Sequence, residues 1–158
     1  MLPRSLLLVI LLWSWSSLSG ADEKYTGPHP PKPDVPYLMH ADNLIEPESL
    51  QAKQEEHGKE SVTWVAGVSS PVRTPLAEPI FLYESAKVAP EKLELYRLDV
   101  KRGRREVVFS KKDAHPLRVM VKPLEGKLYR VEANETLENG EYALSPDGSD
   151  QVFCFQVY

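Results

Sequence analysis

The sequence contains only one cysteine, Cys154, in 158 residues. No intramolecular disulfide can form, so packing alone must hold the fold together, unlike the crosslinked small domains that are common among secreted proteins. Cys154 lies between Phe153 and Phe155, and a cysteine in such a setting behaves as a small buried hydrophobe. Because no basic residue is its neighbour in the sequence, we do not expect a reactive thiolate.

Catalytic signatures are also missing. The segment Gly67-Val68-Ser69-Ser70 lacks the spacing of a nucleophile elbow, and no phosphate-binding glycine loop or dinucleotide fingerprint is present. The four histidines stand far apart, at His29, His40, His57 and His115. His40 and Asp42 offer two metal ligands, whereas a structural zinc site needs four. We therefore expect no enzyme activity, no metal site and no cofactor.

The sequence has no surplus of basic residues. Residues 61–158 contain 14 acidic and 14 basic residues, whereas residues 22–60 contain nine acidic and four basic ones. Binding to a phosphate backbone requires an excess of lysine and arginine. This balance excludes nucleic acid as an expected partner.

Residues 1–21 have the pattern of a secretory signal peptide. Arg4 supplies the positive start, residues 6–13 supply an apolar core, and Ser19-Gly20-Ala21 is a small-residue cleavage site. The apolar run is shorter than the ~20 residues that span a bilayer, so we expect no transmembrane helix after cleavage. No cysteine follows the cleavage site, which excludes a bacterial lipoprotein. The expected location is secreted or periplasmic.

Residues 22–60 read as an acidic arm that precedes the folded domain. The arm is rich in proline, at Pro28, Pro30, Pro31, Pro33 and Pro36. This spacing favours extended polyproline II, which either docks on a partner or serves as a spacer or surface strap. Within the arm, Pro47 suits the first position of a helix and Gly58 suits its end, so we predict a short helix over residues 47–57.

Residues 61–158 alternate between apolar and polar residues in short runs separated by turn residues. The pattern begins with Val62, Trp64 and Ala66 and predicts about seven to eight strands without a long amphipathic helix. We predict an all-β fold, an immunoglobulin-like β-sandwich. The expected core residues are Trp64, Val119, Tyr129, Phe153, Phe155 and Val157.

The last 22 residues form the clearest unit of this pattern. Pro146, Asp147 and Gly148 favour a tight turn. After the turn, Phe153, Phe155 and Val157 fall on one face of a strand, while Val152 and Cys154 fall on the other. A strand that is apolar on both faces is usually covered on both.

The segment Leu137-x-x-Gly140-x-Tyr142 resembles the tyrosine corner of immunoglobulin-like sandwiches. The resemblance implies that the Tyr142 hydroxyl bonds back to the upstream backbone. In antibody domains a cysteine follows two residues after this tyrosine, but here the position is Leu144. The whole chain is similar to small uncharacterised exported bacterial proteins that have a proline-rich start and a terminal Gly-Glu-Tyr-Ala-Leu hairpin. That similarity implies no activity.

The most concentrated charge is basic and falls where the pattern predicts a hairpin loop, over residues 101–105. The residues concerned are Lys101, Arg102, Arg104 and Arg105, followed by Lys111 and Lys112. They are candidates for binding an anionic surface or an acidic partner. The alternative is a solvated hairpin end that discourages aggregation.

Three functional hypotheses remain open. The first is a non-catalytic exported protein that binds an unknown protein or an envelope polysaccharide, as an envelope accessory or assembly module. The second is a carbohydrate-binding module, which needs exposed coplanar aromatic rings. Its candidates are Trp64, Tyr83, Tyr96 and Tyr129. The third is a small hydrolase that uses two facing carboxylates.

Overall fold

The computed structural model describes residues 24–110 and 115–158. In these residues the regular structure consists of thirteen strands and a single 3₁₀ turn at Pro90–Lys92. The strands are β1 (Tyr37–His40), β2 (Asn43–Ile45), β3 (Glu48–Gln51), β4 (Lys53–His57), β5 (Glu60–Ala66), β6 (Arg73–Thr74), β7 (Ile80–Glu84), β8 (Leu93–Lys101), β9 (Arg104–Phe109), β10 (Val119–Glu125), β11 (Leu128–Ala133), β12 (Gly140–Pro146) and β13 (Gln151–Val157). The predicted all-β fold is confirmed.

The strands form two sheets, as a β-sandwich requires. One sheet has five antiparallel strands in the order β10-β11-β7-β1-β2. The other has the order β3-β13-β12-β8-β9-β5-β4, and the short β6 adds to β13 in parallel. The immunoglobulin-like subtype stays a prediction.

The larger sheet is rolled. Its two end strands, β3 and β4, are consecutive in the chain and only Ala52 separates them. Because neighbouring Cα atoms are about 3.8 Å apart, the two ends of the sheet must meet at this residue. The rolled sheet has an inner face, which surrounds the inside of the roll, and an outer face. Part of the outer face packs against the smaller sheet.

The main core lies between the two sheets. Phe155 is at its centre, stacked on Tyr142 with ring centroids 5.6 Å apart and edge-on to Phe81 at 5.1 Å. Such an aromatic pair stabilises the fold by about 0.5–1.5 kcal/mol beyond the contribution of the apolar area that it buries. The buried members of this cluster are Leu38, Phe81, Tyr83, Leu93, Leu95, Val131, Ala133, Leu137, Tyr142, Leu144, Phe153, Phe155 and Val157.

A second, smaller core lies inside the roll. Its buried members are Val65, Leu98, Ala143, Val152 and Cys154. Strand β13 therefore contributes to both cores, with Phe153, Phe155 and Val157 on one side and Val152 and Cys154 on the other. Burial of the thiol raises the pKa of Cys154 to about 12.

The predicted helix over residues 47–57 is wrong. The segment forms β3, which pairs with β13, and β4, which pairs with β5. Leu50 was nearly its only apolar residue, so a helix had no face to bury. As two strands, the same residues satisfy their backbone groups in a sheet and close the roll. Strands β1 and β2 also belong to a sheet, the smaller one, so the folded part of the chain includes residues before position 61.

The proline-rich part of the arm is fixed to the smaller sheet through Asp34. Its carboxylate accepts backbone N–H groups from Ala86, Lys87 and Val88 at 2.9–3.1 Å, and the Tyr83 hydroxyl at 3.2 Å. Burial alone would raise the pKa of Asp34, but these hydrogen bonds outweigh it and lower the pKa. Asp34 therefore holds this part of the arm against the surface of the domain.

Candidate functional site

The rolled sheet encloses a cavity of about 390 Å³ that opens at one end. Tyr96 of β8 and Phe109 of β9 form one wall, with ring centroids 5.4 Å apart in an edge-to-face pair. Val65, Leu98 and Val152 line the deeper part and belong to the second core. Alternation along each strand directs these side chains inward. The cavity thus has an aromatic wall and an apolar floor.

The mouth of the cavity is polar and rich in hydrogen-bond acceptors. The acidic residues Glu94, Asp147 and Asp150 line the cavity, and Asp147 and Asp150 are exposed, which places them at its mouth. The Tyr96 hydroxyl donates to Glu94 Oε2 at 2.7 Å. Burial first, and then this hydrogen bond, raise the pKa of Tyr96, so it stays a neutral donor. Gln54 also lines the mouth.

The opposite end of the roll is closed by a buried ionic cluster around Arg105, which lies four residues before Phe109 on β9. The Arg105 side chain is 1% exposed and its guanidinium donates to both oxygens of Glu48, at 2.8 and 3.2 Å. It also donates to the backbone oxygens of Ala66 and Gly67. Burial opposes the charge, but the hydrogen bonds to Glu48 and the nearby carboxylates outweigh it and raise the pKa of Arg105.

Glu141 completes this cluster. Its side chain is 4% exposed, and Oε2 lies 3.6 Å from Arg105 Nη1. The same oxygen accepts the backbone N–H of Ser70 at 2.9 Å. Two carboxylates thus surround one guanidinium, and the donors of Arg105 are used inside the protein. The cluster is structural and leaves the arginine little capacity to bind a ligand.

The structure does not assemble the predicted basic tip. The turn contains only Arg102 and Gly103, both with positive φ, as a two-residue hairpin turn requires. Arg104 and Arg105 belong to β9, so alternation sends Arg105 into the roll and Arg104 to its outer face. The expectation of a loop over 101–105 is wrong. Lys111 and Lys112 lie outside the described residues.

Arg104 is engaged with neighbours on the outer face of the roll. It contacts Glu55 at 3.1 Å and Glu106 at 2.8 Å, and its side chain is 15% exposed. Lys101 and Arg102 are exposed at the turn, and Lys101 lies 3.1 Å from Asp99. Anion binding by Lys101 and Arg102 stays a prediction, whereas the buried Arg105 is excluded from such a surface.

Trp64 is not a core residue. It is half-buried on the outer face, with the Arg104 guanidinium 4.7 Å and the Lys53 ammonium 5.0 Å from the ring centroid. Its indole N–H donates to Glu55 at 3.0 Å. Both cations lie over the ring, so a sugar that stacked on Trp64 would compete with them.

Two other residues expected in the core are half-buried, namely Val119 and Tyr129. Val119 packs against the edge of the main core from β10, an end strand of the smaller sheet. Tyr129 pairs in register with Tyr83, which is 0% exposed. The four aromatic candidates, Trp64, Tyr83, Tyr96 and Tyr129, thus lie in different environments and do not form one exposed platform.

The tyrosine-corner segment makes the hydrogen bond that its resemblance implies. The Tyr142 hydroxyl donates to the backbone oxygen of Glu138 at 2.7 Å, and Leu137 is buried beside it in the main core. Gly140 lies under the Arg97 guanidinium, which a Cβ at this position would approach to 3.5 Å. Burial raises the pKa of Tyr142. The segment anchors the start of β12.

A second depression, of about 520 Å³, lies at the outer side of the smaller sheet. Arg130 and Glu132 line it and are 2.7 Å apart, and Lys122 reaches Glu132 at 3.1 Å. Burial would raise the pKa of Glu132, but the hydrogen bonds from Arg130 and Lys122 outweigh it and lower the pKa. Because these charges satisfy each other, we place the candidate site in the rolled-sheet cavity.

Among the residues of this cavity, sequence reasoning proposed Tyr96 and Trp64 as carbohydrate-binding candidates and Arg105 as part of a basic tip, and it placed Asp147 and Gly148 in a turn. The sequence predicted a strand over residues 93–100, which places Glu94, Tyr96 and Leu98 on one face. It did not predict that this face lies inside a rolled sheet. Within the described residues, no three histidine, cysteine, aspartate or glutamate side chains are grouped so that they could hold a metal ion.

Comparisons with known proteins give no relative for this chain. No protein-family model matches it, and neither a curated protein nor a solved structure shows significant similarity. Across 24–110 and 115–158, no helix has the length and apolar character needed to cross a membrane.

Proposed function

We propose that this protein is an exported, non-catalytic binding protein that holds a small ligand in the rolled-sheet cavity. The observation that carries the proposal is the composition of the cavity, with apolar side chains in its deeper part, an aromatic wall and acidic groups at the mouth. Ligand sites in proteins are typically clefts of about 300–1,000 Å³ with this distribution. At about 390 Å³ the cavity has room for a small organic molecule.

Export rests on the signal-peptide pattern of residues 1–21. We expect cleavage after Ala21 and a mature protein in the periplasm or the medium. Sequencing of the N-terminus of the protein recovered from these fractions tests this. A mature chain that retains residues 1–21 in the membrane fraction contradicts it.

Binding in the cavity is tested by a screen of small organic fragments, followed by NMR titration. Thr63 lines the cavity from β5, and Thr63→Phe places a ring in its space. We expect fragments that shift the resonances of Tyr96 and Phe109 to lose binding in this variant. The matched control is Thr26→Phe, at an exposed position of the arm. Equal binding by both variants contradicts a ligand site in the cavity.

A hydrolase is the second candidate, because Glu94, Asp147 and Asp150 line one cavity. Asp147, however, has a side chain that is 58% exposed, whereas a general acid usually needs a desolvated carboxyl group. Chromogenic glycosides and esters test this candidate. Turnover that Glu94→Gln abolishes would favour the enzyme over the binding protein.

A further inference from the structure

We infer that the ligand of the rolled-sheet cavity is an organic cation, namely an amine or quaternary ammonium group carried on an apolar body. This inference rests on the proposed function and adds the chemical class of the ligand. It draws on three separate features of the cavity, which are its charge, its aromatic wall and its floor.

The charge of the lining is negative. Among the described residues that line the cavity, Glu94, Asp147 and Asp150 are acidic and Arg105 is the one basic residue. Arg105 is neutralised by Glu48 and Glu141 at the closed end. The acidic groups lie at the mouth, where a cationic group attached to a buried apolar body would come to rest. Electrostatic complementarity therefore favours a cation over a neutral molecule or an anion.

One of these carboxylates already attracts an ammonium group. The Lys92 ammonium lies 3.8 Å from Asp147 Oδ2 on the solvent side, with more than half of both side chains exposed. A ligand ammonium at the mouth would have the same kind of neighbour, with the added benefit of partial removal from water. Interactions between charges strengthen as water is excluded.

The aromatic wall supports the same class of ligand. The faces of tyrosine and phenylalanine carry negative electrostatic potential and attract organic cations, most strongly where water is excluded. Unlike Trp64, whose ring has two cationic neighbours, neither Tyr96 nor Phe109 has a cation over its ring among the described residues. The hydroxyl of Tyr96 is committed to Glu94, which holds the ring in place.

The floor argues against a sugar. Val65, Leu98 and Val152 offer no hydrogen-bond partners, and a sugar ring that entered would leave hydroxyl groups unpaired there. Each such unpaired group costs about 1–3 kcal/mol. An aliphatic or aromatic body meets no such penalty. The floor therefore favours a ligand with an apolar body, and the acidic mouth favours one with a positive charge.

The test compares three probes of similar size and different charge, benzylamine, benzyl alcohol and benzoate, by NMR titration at low salt. We expect benzylamine to bind about tenfold more tightly than benzyl alcohol, and benzoate to bind most weakly. Glu94→Gln should reduce the preference for benzylamine over benzyl alcohol, with Asp147 and Asp150 retaining part of it. The matched control, Glu91→Gln, is exposed and lies outside the cavity, and should change neither affinity.

The two levels of the proposal fail differently. If the three probes bind equally well and Thr63→Phe abolishes all of them, the cavity is a ligand site but the preference for a cation is overturned. If no probe shifts cavity resonances in the wild-type protein, the proposed ligand site fails together with its ligand class. A circular dichroism melt of each variant establishes that the fold is retained.

Discussion

Replacement of Arg105 by methionine tests the buried ionic cluster. Methionine keeps most of the apolar stem and removes the guanidinium. The change strands Glu141, whose side chain is 4% exposed and then keeps only the Ser70 N–H as a partner. It also removes the donors to Glu48 and to the backbone oxygens of Ala66 and Gly67.

The expected loss in the free energy of unfolding of Arg105→Met follows from these contacts. Removal of one partner from a buried ion pair typically costs about 3–5 kcal/mol, because the other charge stays buried without compensation. Glu48 is 19% exposed on its side chain and recovers some hydration, so we expect the lower part of this range, about 3 kcal/mol. In a domain of this size such a loss lowers the melting temperature by roughly 10 °C.

Urea denaturation at neutral pH, followed by circular dichroism, measures the loss. Arg102→Met is the matched control, because Arg102 is exposed at the turn, and should change the free energy of unfolding by less than about 0.5 kcal/mol. The double variant Arg105→Met/Glu141→Gln should recover about 1–2 kcal/mol, since the stranded charge is gone. A loss below about 1 kcal/mol for Arg105→Met, or no recovery in the double variant, would refute the reasoning.

Three further predictions concern single side chains. The lowered pKa of Asp34 contributes stability that is present above its unfolded value of 3.8 and is lost as the pH falls through the folded pKa. Asp34→Asn should therefore be about 1 kcal/mol less stable at pH 7 and equal to wild type near pH 2, in urea melts at both pH values. Cys154 should resist iodoacetamide at pH 8 in the folded protein and react in 6 M urea, as mass spectrometry would show; alkylation of the native protein contradicts its burial. Tyr142→Phe should cost about 1 kcal/mol by loss of the bond to Glu138, and an unchanged urea midpoint contradicts that role.

Local patterns predicted the parts of the fold in which burial and alternation coincide. In β13, Phe153, Phe155 and Val157 alternate with Val152 and Cys154, so the strand shows both of its buried faces in the linear sequence. The turn at Asp147 and Gly148 is equally local, because glycine at φ 72° satisfies a requirement of the backbone itself. No distant residue is needed for either prediction.

The strands at residues 48–57 carry no such local signal. Lys53–His57 consists entirely of polar residues. It forms a strand because it pairs with β5, which follows it after a turn. Strand β5 in turn is held in the rolled sheet by β9. Helix propensity is weak, on the order of a few tenths of a kcal/mol per residue, and such pairing overrides it. The prediction of a helix therefore failed where tertiary contacts outweighed intrinsic preference.

The alternation within short strands predicts which side chains share a face. The location of the candidate site depends on how the larger sheet rolls. Arg102 and Arg105 look alike in one basic run, and only the two-residue turn and the roll send one to solvent and the other to a buried cluster. Glu94 and Phe109 lie on neighbouring parts of the chain, whereas Gln54 and Asp150 reach the same cavity from elsewhere. Their meeting depends on Ala52 joining the two ends of the sheet, a long-range closure that no local pattern of residues encodes.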